Sequence, residues 1–310
     1  VHEILMRAFR NIALTIVLSI ALTSIASTTH ADWPSWRGAD NSGSIHQGTY
    51  PSAINEETIR WKTPLPGKGC STPIVVNDTR GFYVNRCVLR YMSEAYNMLI
   101  EGVPPAMIEN AAKMAGMPVG PLALNDETAI DLSQKILKQT IRDMGEKAVD
   151  MRHVELVDTL VDTHGRLGRK NGKGFYDYPS EKGQPKRLWP ELEQFAPGGQ
   201  YAAEQPTADE VKDRILYTQA LEAARCMEEE IVADPREADV GSILGWGFAP
   251  YTGGTLSFID TVGAKAFVKR AEELEAKYGD QFKVPALLKE MAEKGETFYG
   301  RFGTKEAAAA

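Results

Sequence analysis

Apolar residues divide the chain into two regimes. Between residues 81 and 126, Phe82, Val88, Tyr91, Met92, Ala95, Met98 and Leu99 recur near helical spacing. One stripe of a long amphipathic helix therefore faces a core. Pro104 and Pro105 turn the chain into a second, short helix, and the loop 116–121 breaks it again. The pattern predicts a restart at Asn125 or Asp126, both good N-caps. Further periodicity predicts helices over 126–146, 151–163, 207–233, 236–244, 261–277 and 284–294. The glycine-rich stretch 165–174 runs into Phe175-Tyr176-Asp177-Tyr178. Residues 179–206, with Pro179, Pro185, Pro190, Pro197 and Pro206, read as a linker.

Before residue 80 the pattern is different. Arg7 and Arg10, the apolar run 12–25 and the small residues ending Thr29-His30-Ala31 have the form of a secretory signal. Residues 32–71 are rich in Trp, Gly, Pro and Ser without helical period, so loops and short strands are expected.

An internal repeat underlies the helical part. Arg86 and Glu94-Ala95 recur 128 positions on as Arg214 and Glu222-Ala223. Gly120, Leu122 and Asp126 recur 134 positions on as Gly254, Leu256 and Asp260. Both halves close on Phe-Tyr, at Phe175-Tyr176 and Phe298-Tyr299. Two copies of one helical unit are implied, packed about a pseudo-twofold axis.

Composition narrows the function. A net charge of -7 over 310 residues, with no basic run interleaved with aromatics, argues against nucleic acid. Cys70, Cys87 and Cys226 form no CxxC pair, and the last two read as buried thiols. No zinc spacing, P-loop or Ser/His/Asp arrangement is visible. Asn85 falls in the first turns of the long helix, where Leu or Ala would be more stable, which suggests a side chain kept for its amide.

Four motifs then carry a resemblance: TPIVVNDTRGFYVNR at 72–86, GMPVGPLALND at 116–126, GRKNGKGFYDY at 168–178 and GWGFAPYTGG at 245–254. Region 72–300 resembles the C-terminal part of 3-hydroxyacyl-CoA dehydrogenase, in the duplicated form of the fatty-acid β-oxidation complex α-subunit. The resemblance implies a mainly α fold of two tandem related units, of the 6-phosphogluconate-dehydrogenase C-terminal-like kind, without a Rossmann domain. The expected boundaries are signal peptide 1–31, leader 32–71, first unit 72–178, linker 179–206, second unit 207–300 and tail 301–310. The leader resembles the entry of pyrroloquinoline-quinone-dehydrogenase-like β-propellers. The stretch Ser71-Thr72-Pro73-Ile74-Val75-Val76-Asn77-Asp78 suits both families, so a chimeric join is expected there.

The resemblance also implies NAD-dependent oxidation of 3-hydroxyacyl-CoA. Asn85 matches the family's cleft-facing amide, and Gly120, Pro121, Leu244 and Phe248 are further substrate-side candidates. Leu244 stands where some relatives carry a substrate-contacting Tyr. No G-x-G-x-x-G follows a strand, and Gly67-Lys68-Gly69 lacks the third glycine. His153 and His164 match no catalytic His–Glu pair. The expectation is a substrate wall and oligomerisation surface, inactive alone, with no NAD site and no metal. Acyl-CoA, a second copy or complex subunits are the expected partners. The alternatives are a non-catalytic helical interaction module or a truncated exported propeller protein. Arg169, Lys170 and Lys173 read as a solvated basic hairpin rather than a CoA-phosphate site. The signal segment implies export, whereas acyl-CoA chemistry implies the cytoplasm.

Overall fold

The computed structural model describes residues 76–181 and 184–303, which fall in the compact unit Ser71–Ala310. The signal-like segment, the propeller-like leader and Cys70 lie outside the described residues. What is described is mainly helical. The helices run α1 (Val84–Ile100), α2 (Pro105–Met114), α3 (Pro121–Thr128), α4 (Ile130–Met144), α5 (Met151–Asp158), α6 (Ala208–Glu228), α7 (Pro235–Trp246), α8 (Thr255–Val262), α9 (Ala264–Tyr278), α10 (Ala286–Lys294) and α11 (Phe298–Phe302). Strands β1 (Tyr176–Asp177) and β2 (Arg187–Leu188) pair antiparallel, with Tyr176 opposite Leu188.

Proline sets several helix starts. Pro105, Pro121 and Pro235 occupy first-turn positions, where a missing N–H costs nothing. This corrects the predicted restart after loop 116–121. Helix α3 begins at Pro121 behind Gly120, and Asn125 and Asp126 are buried inside it rather than capping it. The predicted helix 126–146 is also two helices, because Ala129 breaks it at φ 76°. Gly263 makes the same break between α8 and α9, at φ 87°.

The ends of α1 and α6 match. Val103 N–H donates to Met98 O (2.9 Å) and Ile231 N–H to Cys226 O (2.8 Å), the 6→1 bond of a Schellman cap. The left-handed residue is Gly102 in the first and Glu230 in the second. The cap stops α6 at Glu228, short of the predicted 233.

Two apolar cores result. One gathers α1, α2 and α3 side chains such as Leu99, Ile108 and Leu122 with Phe175. Each of these aliphatics contributes about 1.5–3 kcal/mol by leaving water. The residues read as a linker join this core through Trp189 and Leu192, so 179–206 is partly structural. The other core gathers α6 to α11 together with Tyr83 and Cys87 from the start of the dehydrogenase-like region.

Helices α1 and α6 pack together and exchange ion pairs. Fully buried Arg214 on α6 reaches Glu94 (2.6 Å) and Glu101 (2.5 Å). Arg86 on α1 reaches Glu222 (2.8 Å) and Glu229. Each helix thus supplies the cation for the other's carboxylates.

Candidate functional site

A second set of buried acids ties each half together. Glu109 on α2 accepts from the Leu122 and Ala123 amides at the start of α3 (2.7 and 3.3 Å) and from the Tyr176 hydroxyl (2.7 Å). Asp239 on α7 accepts from the Leu256 and Ser257 amides at the start of α8 (2.7 and 3.0 Å) and from the Tyr299 hydroxyl (2.9 Å). A carboxylate at a helix N-terminus satisfies orphan donors and complements the dipole. Asp126 then takes the Phe175 and Tyr176 amides (2.7 and 2.9 Å), and Asp260 takes those of Phe298 and Tyr299 (2.8 and 3.1 Å).

This framework decides where the candidate residues sit. Gly120 and Pro121 are buried, and a Cβ at Gly120 would overlap the Glu109 carboxylate. They are framework residues and present no side chain to a ligand. Phe248 is fully buried in the first core. Leu244 is 68% exposed on α7.

Asn85 occupies the first turn of α1 and is exposed. It lines a pocket of about 300 Å³ with Val76, Gly81, Phe82, Tyr83, Val84 and Gly241. Two successive left-handed residues, Gly81 (φ 82°) and Phe82 (φ 50°), shape the turn before it. The turn leaves the Phe82 ring 52% exposed. Tyr83 anchors the turn from below, with its hydroxyl 3.0 Å from both Ala238 O and Thr255 Oγ1. Gly245, one turn beyond Gly241 on α7, lets the Val84 side chain approach closely.

The chemistry on offer is polar but not proton-transferring. Tyr83 is the titratable lining residue, and burial pushes its hydroxyl well above the ordinary tyrosine range. The Asn85 amide and the first-turn N–H groups of α1 can hold a carbonyl oxygen beside an apolar wall. Sequence reasoning missed Gly241, Glu109 and Asp239. Gly241 comes from the other half of the chain. Glu109 and Asp239 are 130 positions apart, between the two offsets that mark the repeat.

The remaining candidates are accounted for by the surroundings. Arg169 pairs with Glu127 at 2.7 Å and Lys170 with Asp131, so the basic hairpin is braced by its own scaffold. His164 ends a short π-turn, with Nε2 3.2 Å from Gln194 Oε1. Cys87 and Cys226 are buried.

Residues 81–178 match the family described as 3-hydroxyacyl-CoA dehydrogenase, C-terminal domain. Over that stretch the chain is similar to this family. The chain is 39% identical over 254 residues to the fatty acid oxidation complex subunit alpha of Shewanella amazonensis, covering 82% of this chain and 34% of that protein. It is 40% identical over 243 residues to the same subunit of Shewanella halifaxensis, covering 78% and 33%. The chain therefore spans about a third of the length of these curated relatives. In fold it is similar to 3-hydroxybutyryl-CoA dehydrogenase from Escherichia coli, with a TM-score of 0.54 at 21% identity over 72% of this chain and 62% of that one.

Among the described residues the sheet is the antiparallel β1–β2 pair, and no parallel strands open onto a helix N-terminus. Nor do three or more His, Cys, Asp or Glu side chains among them converge as metal ligands. No described helix is long and apolar enough to cross a membrane.

Proposed function

We propose that residues 76–303 form the substrate-side wall of a 3-hydroxyacyl-CoA dehydrogenase of fatty-acid β-oxidation. The observation that carries this reading is the Asn85 amide, exposed at the mouth of a largely apolar pocket within the family-matched domain. The amide holds the thioester or developing 3-oxo oxygen, and Phe82 and Val84 cover the acyl carbons. Nicotinamide and the general base come from polypeptide other than the described residues, since no lining group here can take the hydroxyl proton.

The two helical sets are copies of one unit, with duplicated caps, acids and Phe-Tyr closures in support. Their names tie the relatives to a fatty acid oxidation complex, so assembly with other subunits of such a complex is part of the proposal.

Titrating the full chain with acetoacetyl-CoA tests this. We expect saturable binding, about tenfold weaker in Asn85→Ala for the loss of one amide hydrogen bond of about 1–1.5 kcal/mol. Equal affinity in the variant overturns the role of Asn85. NAD reduction with 3-hydroxybutyryl-CoA by the purified chain overturns the division of labour.

A further inference from the structure

A second cavity, of about 240 Å³, opens between α1, α5 and α6 and has no part in the Asn85 pocket. Arg90, Ser93, Asn97, His153 and Thr218 line it. The related half of the molecule shows what this volume is when it has no role. Ser93 corresponds to Leu221, 128 positions on, in matching helices. Gly145 and Gly279 each open a three-residue 3₁₀ turn, so Ala148, Asp150 and His153 correspond to Phe282, Val284 and Leu287, 134 positions on. Leu221, Phe282 and Val284 are buried in the second core and Leu287 packs on it. At these four positions one half places hydrocarbon, and the other keeps small or polar side chains around an open space.

The polar groups are incompletely matched within the chain. The Thr218 hydroxyl is buried and has no hydrogen-bond partner among the described residues. An orphaned buried hydroxyl costs about 1–3 kcal/mol, so the position is stable when something else completes it. His153 Nε2 lies 2.7 Å from Asn97 Oδ1, and Asn97 Nδ2 donates to Glu94 at 2.9 Å. That chain puts the ring proton on Nε2 and leaves Nδ1 as an acceptor. Arg90 touches Glu222 through Nε at 3.0 Å, but Glu222 also holds Arg86 and Arg225. Its guanidinium is nearly half exposed and has N–H groups to spare. Two acids also line the cavity, and each has a cation of its own: Glu94 pairs with Arg214 and Asp150 with Arg152, itself a lining residue.

We propose that this cavity binds inorganic phosphate, whose neutral-pH forms keep a P–OH. Arg90, Ser93 and Thr218 donate to its charged oxygens, and its P–OH donates to His153 Nδ1. The volume holds about eight waters at roughly 30 Å³ each, enough for a hydrated oxyanion but below the roughly 300 Å³ at which pockets for larger ligands begin.

The test is NMR of the full chain labelled with ¹⁵N-histidine, titrated with inorganic phosphate and, at matched ionic strength, with sulfate, which has no P–OH to offer. Phosphate should shift the His153 ring signals saturably and leave those of His164 in place. Sulfate should act at least tenfold more weakly. Ser93→Leu, which copies Leu221, should abolish the shift. The phosphate–sulfate comparison needs no variant and so stands even if Ser93→Leu misfolds. No saturable shift, a shift that persists in folded Ser93→Leu, or equal response to sulfate each overturns the proposal. Response to a phosphate monoester such as glycerol phosphate but not to inorganic phosphate also overturns it, because the site is then one for the ester's organic part.

Discussion

Replacing Arg214 with Met should be among the most damaging single changes in the molecule. Arg214 is wholly buried, Glu94 beside it is 1% exposed, and the guanidinium also lies 3.8 Å from the centre of the Tyr278 ring. Arg214→Met leaves Glu94 with the Asn97 amide as its remaining neutral partner. Breaking a buried pair in this way costs about 3–5 kcal/mol, and loss of the cation–π contact adds about 1. Against a total stability of about 5–15 kcal/mol this is a large share. Burial outweighs the Arg214 contact and already holds the Glu94 carboxyl above its ordinary value, so the folded state favours its protonation. The variant's deficit should therefore shrink as pH falls. Arg86→Met is the internal control. Arg90 and Arg225 still hold Glu222, and Glu229 is half exposed, so about 1–2 kcal/mol is expected. Glu94→Leu with Arg214→Met should recover most of the loss, because the one carboxylate then left unpaired, Glu101, is 30% exposed and stays hydrated. Urea unfolding at neutral pH reads all three as midpoint shifts at constant slope. The reasoning fails if Arg214→Met costs no more than Arg86→Met, or if the double variant is as unstable as the single one.

Burial lowers the His153 pKa from 6.5 to about 4, so its neutral form contributes stability above pH 6.5 that is lost as pH falls towards 4. The full contribution is about 3 kcal/mol, and His153→Leu should flatten urea stability across that window; parallel pH curves for the two proteins would contradict it. Ala129 holds a left-handed conformation that Gly263 holds in the other half, so Ala129→Gly should raise stability by about 1 kcal/mol in a thermal melt. A lower melting temperature would show that the backbone there is unstrained.

Much of this framework can be read from the residues, and the failures have physical causes. The repeat aligns Asp126 with Asp260, and both acids take the amides of a Phe-Tyr pair. Periodicity finds α1 because its buried stripe is continuous. The same logic misplaces the start of α3: Asn125 and Asp126 look like caps, but Pro121 begins the helix and frees Asp126 to reach across to Phe175. The break at Ala129 leaves no composition signal, since alanine is a helix former. Asn85 is legible from its motif. Its pocket is not, because Gly241 arrives from a helix more than 150 residues away. The cavity beside His153 is invisible until the two halves are compared position by position.

The crossed Arg–Glu contacts carry a consequence for how the molecule comes apart. If either long helix melts, it withdraws the counter-ion from its neighbour and strands acids in a dry interior. Partial opening is thereby penalised on both sides, so the slowest-exchanging amides of α1 and α6 should report one shared opening event rather than two. Two independent halves would open one at a time; the swapped charges predict that these helices open together.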